Sequence, residues 1–303
     1  MKISYLTYDR IDKIKWDNCI DNARNGLIYA YSFYLDAMSE NWDALVLNDY
    51  EIVMPLTWKK KYTIYYLYQP FYTASLGIFG NNISAEIVND FLKNIPAKFK
   101  YWDFYLNRDN LFSLPDFPMY ERSNYILPLH ENYETLHTRY ASSHSRNIKR
   151  AIQSGSVVKK NIPIADVIGL AKEQARDFSP IEEKSFATLS KLYDFLQKKK
   201  QAVTYGVYSS HNQLLASCAY FFSHERAFYI LVGNHPNGRS SGASHLMIDH
   251  FIKEHAGENM VLDFEGSNIG SIAFFYKSFG AFLEKYPGIK LNKLPPLIKL
   301  FRQ

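Results

Sequence analysis

The sequence predicts an α/β (α+β) protein of two tandem units, each a mixed, mostly antiparallel sheet flanked by helices. Three observations carry this reading. The chain has 303 residues, more than one hydrophobic core ordinarily supports, so two domains are expected. Short alternating, aromatic-rich runs joined by polar turns point to antiparallel hairpins, with amphipathic helical stretches between them. The order helices, antiparallel strands, helix, strand occurs twice and sets the units at 1–130 and 131–303. No residue-level repeat accompanies it, so a duplication rests on element order alone.

In the first half, residues 2–8 form a strand pattern, and residues 11–23 and 31–41 carry apolar residues three and four apart, as helices do. Residues 42–49 and 51–62 read as strands meeting across Asn48, Asp49 and Tyr50, a turn-rich junction that favours a hairpin. The aromatic stretch 62–79 reads as further strand. Ser84 is placed to cap a helix over 83–95 whose face is Ile83, Ile87, Val88, Phe91, Leu92 and Ile95. Pro96 ends it, and residues 100–107 alternate as a strand.

From His130 the order begins again with a helix over 133–155, a strand over 157–161, and helices over 164–178 and 185–200. Strands over 202–209, 213–223 and 226–233 are separated by short polar joints. A helix over 240–257, a strand over 259–267, a helix over 269–280 and a strand near 282–291 complete the half.

Composition narrows the classes of function. Hydrophobic residues make up 47%, yet no run approaches the eighteen uncharged apolar residues of a bilayer-spanning helix. The first residues alternate apolar and charged, unlike a secretory signal. Only Cys19 and Cys218 occur, which fits a reducing, cytoplasmic setting. The net charge of +5 is spread out, with no basic run longer than the three lysines at 59–61 and 198–200, and no dedicated nucleic-acid motif is present. The nine histidines lack the fixed Cys or carboxylate companions of a metal site, so no metal is expected. The basic, apolar stretch 291–303 could touch a membrane surface, though packing on its own domain is the commoner role.

The chemistry concentrates near the end of the 226–233 strand. There Gly238, Arg239, Ser240, Ser241, Gly242, Ala243 and Ser244 lead into a helix. Small residues let a diphosphate approach the backbone, and the unpaired N–H groups of a helix start favour an anion. A second segment carries Asn268, Ala273, Phe275, Tyr276 and Gly280. Strand alternation sets Asp263 and Glu265 on one face, with Phe264 opposite, as candidate bases; a structural ion pair is the competing role. On the basic helix, Ser143, Arg146, Asn147 and Arg150 share a face suited to a phosphate or carboxylate, or to tying domains together. Tyr68 and Tyr72 could line the acceptor side of an interdomain cleft, although core packing accounts for most aromatics of that stretch.

Taken together, the loop with Arg239, Gly242 and Ser244 and the helix with Asn268, Ala273, Phe275, Tyr276 and Gly280 resemble the GNAT acetyltransferase superfamily. With the basic helix Ser145–Gly155, the chain is similar to its FemAB-like branch, in which two GNAT-type domains stand in tandem. Ser244 and Ala281 depart from the usual Gly or Ala and Phe. The resemblance implies an acyl donor on the C-terminal unit, held by Leu231, Val232, Gly238, Arg239, Ser240, Ser241, Gly242, Ala243, Ser244 and Asn268. It implies that a backbone N–H near Leu231 and Val232 binds the thioester oxygen and that Tyr276 protonates the departing thiolate. It further implies an N-acyltransferase using acetyl-CoA or another acyl-CoA and an amine acceptor, for which Arg146, Tyr68 and Tyr72 are the candidate residues. The alternatives are aminoacyl transfer from tRNA to a cell-wall precursor, and a noncatalytic module that kept the fold. The first half shows no second Arg-x-x-Gly loop, so no donor site is expected there.

Overall fold

The computed structural model describes residues 2–175 and 183–295. In chain order the elements are β1 (Ile3–Leu6), α1 (Lys13–Asn22), α2 (Ser32–Met38), β2 (Asn41–Leu47), β3 (Ile52–Lys61), β4 (Ile64–Tyr68), β5 (Phe79–Gly80), α3 (Ala85–Lys93), β6 (Phe99–Tyr105) and β7 (Met119–Pro128). Then come α4 (Tyr133–Thr138), α5 (Ser142–Gln153), β8 (Val157–Lys160), α6 (Ile164–Ala175), α7 (Glu183–Lys198), β9 (Ala202–Tyr208), β10 (Leu214–Ser223), β11 (Arg226–Asn234), α8 (Pro236–Ser241), α9 (Ala243–His255), β12 (Val261–Asp263), α10 (Gly270–Lys277) and β13 (Phe282–Asn292). Short 3-10 turns occur between them. Parts of the stretches 164–178 and 291–303 lie outside the described residues, so the surface reading of the C-terminal tail does too.

Two compact units emerge: residues 1–122 with 285–303, and residues 123–284. The chain leaves the first inside β7 and returns to it inside β13. In the first unit the strands run β1-β2-β3-β4-β6-β13, with β5 beside β3. In the second they run β7-β12-β11-β10-β9-β8. Each is antiparallel except for one parallel pair, β4 with β6 and β11 with β12. Each parallel pair is joined by a helical crossover, through α3 in the first unit and through α8 and α9 in the second, as parallel strands require. This is a mixed, mostly antiparallel sheet with helices in each unit, the architecture expected from the sequence.

The local causes are legible. Asp12 caps α1 by accepting N–H groups of Ile14 and Lys15 at 3.0 and 3.1 Å, and Ser84 caps α3 at Ile87, each satisfying an otherwise orphaned donor. α3 lays Val88, Phe91 and Leu92 on Leu67, Trp102, Phe104 and Ile289 of the first sheet, the stripe that its apolar spacing dictates. In the second unit α9 packs Leu246, Met247, Phe251 and Ile252 on Val203, Tyr205, Cys218 and Tyr220 of β9 and β10. α6 covers the opposite face of β11, where a Cβ on Gly233 would meet the Ala171 nitrogen at 2.7 Å.

Candidate active site

In the second unit β11 pairs with β12 over Arg226↔Val261, Ala227↔Leu262 and Phe228↔Asp263 only. Among the described residues no strand pairs with that side of β11 beyond Phe228. The stretch Tyr229–Gly233 is closed off at its far end by Gln174 of α6, whose Oε1 accepts the Asn234 N–H at 2.7 Å. Leu231 and Val232 lie inside this open edge, where backbone groups lacking a ladder partner can bind a ligand.

The small-residue segment that follows is helical. Pro236 opens α8, and His235 Nδ1 accepts the Asn237 N–H at 3.1 Å; proline at this position lacks the N–H that a helix start cannot satisfy anyway. Gly238, Ser240 and Ser241 belong to α8, as does Arg239, whose side chain lies outside the described atoms. Gly242 is left-handed at φ 86° and joins α8 to α9.

The glycines of this segment admit protein backbone. A Cβ at Gly238 would stand 2.1 Å from the Leu215 carbonyl oxygen, and one at Gly242 would stand 2.3 Å from that of Asn147. At these two positions the Cβ direction is filled by β10 and α5, and the N–H groups themselves donate to the His235 and Gly238 carbonyls. What remains is the first turn of α9 at Ala243 and Ser244, which carries no side-chain cap. The Ser244 hydroxyl donates to Asn234 Oδ1.

α5 braces this segment. Asn147 Nδ2 meets His245 Nε2 at 3.1 Å, and Arg150 donates to the Ser240 carbonyl at 3.0 Å. At its start, the Ala141 N–H donates to the Ser278 carbonyl at 2.9 Å and His144 Nε2 to the Phe275 carbonyl at 3.0 Å. His144 and His245 meet edge to face at 4.4 Å beside Phe275. Burial lowers the pKa of both rings, and for His245 the charges of His144 and Arg150 add to it, down to about 4. Both are therefore neutral near pH 7. Of the shared face expected on the basic helix, Asn147 and Arg150 turn to α8 and α9, whereas Arg146 is exposed.

α10 carries Tyr276, whose ring stacks on Phe264 at 4.4 Å and lies 6.4 Å from Tyr125. Burial and then the charge of Glu265 raise its pKa, so the hydroxyl stays protonated through neutral pH. Glu265 is close enough for that charge to act because the chain turns sharply after β12. Its backbone is left-handed at φ 60° and the strand ends at Asp263. The alternation that would align Asp263 and Glu265 is broken there.

Asp263 is engaged in structure. Its carboxylate accepts from Arg226 Nη1 at 2.6 Å, Asn124 Nδ2 at 3.0 Å and the Glu265 N–H at 2.8 Å. Glu284 joins at 3.1 Å from Arg226. Burial alone would lower the Arg226 pKa, and the two carboxylates outweigh it and raise it. Asn268, exposed, has its side-chain oxygen bound to the Ser123 N–H at 3.1 Å. Tyr68 and Tyr72 belong to the first unit. The Tyr68 hydroxyl accepts the Glu40 N–H at 3.0 Å and its pKa is pushed up to about 12 by burial, while the Tyr72 carbonyl accepts from the Tyr34 hydroxyl. Among the described residues no group of three or more His, Cys, Asp or Glu could hold a metal.

Leu231, Val232, the start of α9, Tyr276 and Glu265 all lie in the second unit, with Tyr276 within electrostatic reach of Tyr229 on β11 and of Glu265, while Asp263 and Asn268 have other partners. Sequence reasoning missed Gln174, His144, His245 and Arg226. Arg226 opens a strand and His144 sits in a basic helix, and neither pattern distinguishes them from surface residues.

This geometry defines a FemAB-like, GNAT-type fold. The solved structures with this fold include FemX, at TM-score 0.70 and 14% identity, covering 100% of both chains. A conserved protein from Bacteroides thetaiotaomicron matches at TM-score 0.61 and 14% identity over 95% of this chain and 99% of that one. The C-terminal domain of a protein described as a lysylphosphatidylglycerol synthetase from Agrobacterium fabrum matches at 0.53 and 10% over 96% and 94%. No family model matches the chain, and no curated protein matches it in sequence. No helix among the described residues is long and apolar enough to cross a membrane.

Proposed function

We propose that the chain is an acyltransferase of the FemX kind, moving an aminoacyl group from its tRNA ester to an amine of a cell-wall precursor, with the donor on the second unit. The observation that carries this reading is the open β11 edge at Tyr229–Gly233 beside Tyr276 and Glu265. The FemAB-like resemblance implies tRNA as donor. The N–H groups of Gly238 and Gly242, already bonded to the His235 and Gly238 carbonyls, favour a donor that is not gripped there through a diphosphate. The similarity to a protein described as a lysylphosphatidylglycerol synthetase supports an aminoacyl group as the cargo.

In this reading the acceptor nitrogen attacks the ester carbonyl carbon and forms the new C–N bond. Negative charge on the carbonyl oxygen is held by a backbone N–H of the β11 edge. The ester C–O bond then breaks. Tyr276, protonated at neutral pH, gives its proton to the departing ribose oxygen, and Glu265 takes the proton lost by the attacking nitrogen. Asp263 keeps Arg226 and the end of β12 in place.

Acyl-CoA is the second reading, favoured by the uncapped first turn of α9, which suits an anion. The test is transfer of radiolabel to an amine-bearing peptidoglycan precursor from a pool of charged tRNA and, separately, from acetyl-CoA. Label arriving from tRNA, and lost in Tyr276→Phe, is expected. Label arriving from acetyl-CoA alone would replace the first reading with the second, and none from either would leave a noncatalytic module.

A further inference from the structure

At the far end of the second unit, a groove of about 760 Å³ opens where α7 and α9 both end. It is separated from the start of α9 by the length of that helix, about 18 Å from Ala243 to His255 at 1.5 Å per residue. Its volume lies in the range of small-molecule sites, roughly 300–1,000 Å³. Nothing in the proposed transfer reaction uses it.

The floor is apolar and the two walls carry opposite charge. Val203, Phe222 and Met260 form the floor, with Val203 and Phe222 belonging to the face that packs against α9. On the α9 side stand His255 and Glu258, and on the α7 side stands Lys200, the last of the three lysines at 198–200. Lys200 is exposed and left-handed at φ 58°, the turn that carries the chain out of α7 toward β9. Among the described residues it forms no ion pair. Lys160, also on the lining, is held by Glu254.

His255 sharpens the polarity of its wall. Its Nδ1 faces Glu258 Oε2 at 3.0 Å, which in a neutral ring places the proton on Nδ1 and leaves a lone pair on Nε2. Nε2 is buried against the protein, so Nδ1 and Glu258 carry the polar contact on this wall. The α9 wall therefore offers the Glu258 carboxylate, bonded to His255 Nδ1 and exposed just past a helix C-terminus whose dipole also favours a cation. The opposite wall offers an ammonium.

We propose that this groove binds a zwitterion with an apolar body, an apolar amino acid or short peptide, its ammonium toward Glu258 and its carboxylate toward Lys200. The site is independent of the donor assignment. An anion alone would meet only the Lys200 pole, a cation alone only the Glu258 pole, and a purely apolar ligand neither.

The test is titration calorimetry of the whole chain with dileucine, its N-acetyl derivative and its C-terminal amide, with leucine and trileucine in parallel to separate amino acid from peptide. Dileucine or one of its free-ended relatives is expected to bind saturably at a single site. Each blocked form should bind about ten-fold or more weakly, the usual worth of a charge-assisted hydrogen bond. Glu258→Lys should abolish the discrimination against the acetylated form, and Lys200→Glu that against the amide. Both residues are exposed, and an unchanged thermal midpoint confirms that the variants fold. Absence of saturable binding by every free-ended probe, equal affinity for blocked and free forms, or affinity indifferent to both variants would overturn the proposal.

Discussion

The two units build the same junction and finish it differently. In the first, the space beyond the β4–β6 pair is occupied by the chain itself. Leu76 bridges to Leu106 and its N–H donates to the Tyr105 carbonyl at 2.9 Å, while Gln69 Oε1 accepts the Tyr105 N–H at 2.9 Å. In the second, no strand pairs with β11 past Phe228. The helix starts differ in the same sense, since Ser84 caps α3 whereas α9 begins at Gly242 without a side-chain cap. The same strand-and-crossover plan is thus closed by the chain's own hydrogen bonds in the first unit and left without a ladder partner in the second, and the difference lies in hydrogen bonds rather than in the order of elements.

The largest contrast should appear in stability. Arg226→Met leaves Asp263 and Glu284 buried without their cation and is expected to cost the second unit about 3–5 kcal/mol, measured by denaturant unfolding. Lys15→Met in the first unit breaks a pair with Asp49 whose side chains are 49% and 75% exposed, and should change stability by less than about 1 kcal/mol. Equal effects would erase the contrast.

Next in size is Tyr276→Phe, expected to slow transfer by about a hundred-fold or more with the fold intact. Tyr68→Phe in the closed unit, which loses only its bond to the Glu40 N–H, should leave the rate within a few-fold. A comparable loss in both would place chemistry in the first unit as well.

A smaller effect is tied to pH. An unfolded histidine takes up its proton near its ordinary value of 6.5, but His245 in the fold resists until about 4. The unfolded state therefore binds more protons between these values. The stability from this buried neutral pair is present above pH 6.5 and is lost as the pH falls toward 4. His245→Phe should flatten that part of the stability profile. An unchanged profile would remove the pair as its source.

The smallest contrast concerns the helix starts. Ser84→Ala should cost about 1 kcal/mol by orphaning a donor of α3. Gly242→Ala should cost more, because the left-handed backbone and the Asn147 carbonyl at 2.3 Å both oppose a Cβ. A tolerated Gly242→Ala would mean that α5 is not packed on this segment.

Much of the fold was legible because hydrophobic period and turn chemistry are local. The hairpins of β9, β10 and β11 and the faces of α3 and α9 follow from alternation and from three- and four-residue spacing. The stretch 133–155, expected as one helix, is broken into α4 and α5 by Arg139–Ala141, with Asn132 capping the first. Of the aromatic stretch 62–79, only Ile64–Tyr68 and the first residue of β5 are strand. α8 could have been read from His235-Pro236, a cap followed by a proline suited to a helix start. β7 was not anticipated, and nothing local in the sequence says that β13 pairs with β6 or that β7 pairs with β12, because the partner of a strand is a tertiary fact.

The candidate site was legible to the same depth. Tyr276 and the β11 edge are candidates in the sequence from pattern and resemblance, and the structure gives Tyr276 a buried place on Phe264 and the edge no ladder partner past Phe228. Glu265 was found for an imperfect reason, since the alternation supposed to align it with Asp263 fails at its left-handed backbone. At Gly238 and Gly242 a Cβ would meet the Leu215 and Asn147 carbonyls, a packing requirement on these glycines that sequence alone does not reveal.

The central claim, that the donor sits on the open edge of the second unit, is tested most directly by hydrogen exchange with and without an aminoacyl-tRNA whose ester is replaced by an amide that resists transfer. Slowed exchange confined to Tyr229–Gly233 and the first turn of α9, with Tyr68–Gly80 unchanged, is the expected result. Protection at Tyr68–Gly80, or protection nowhere in the chain, would contradict it.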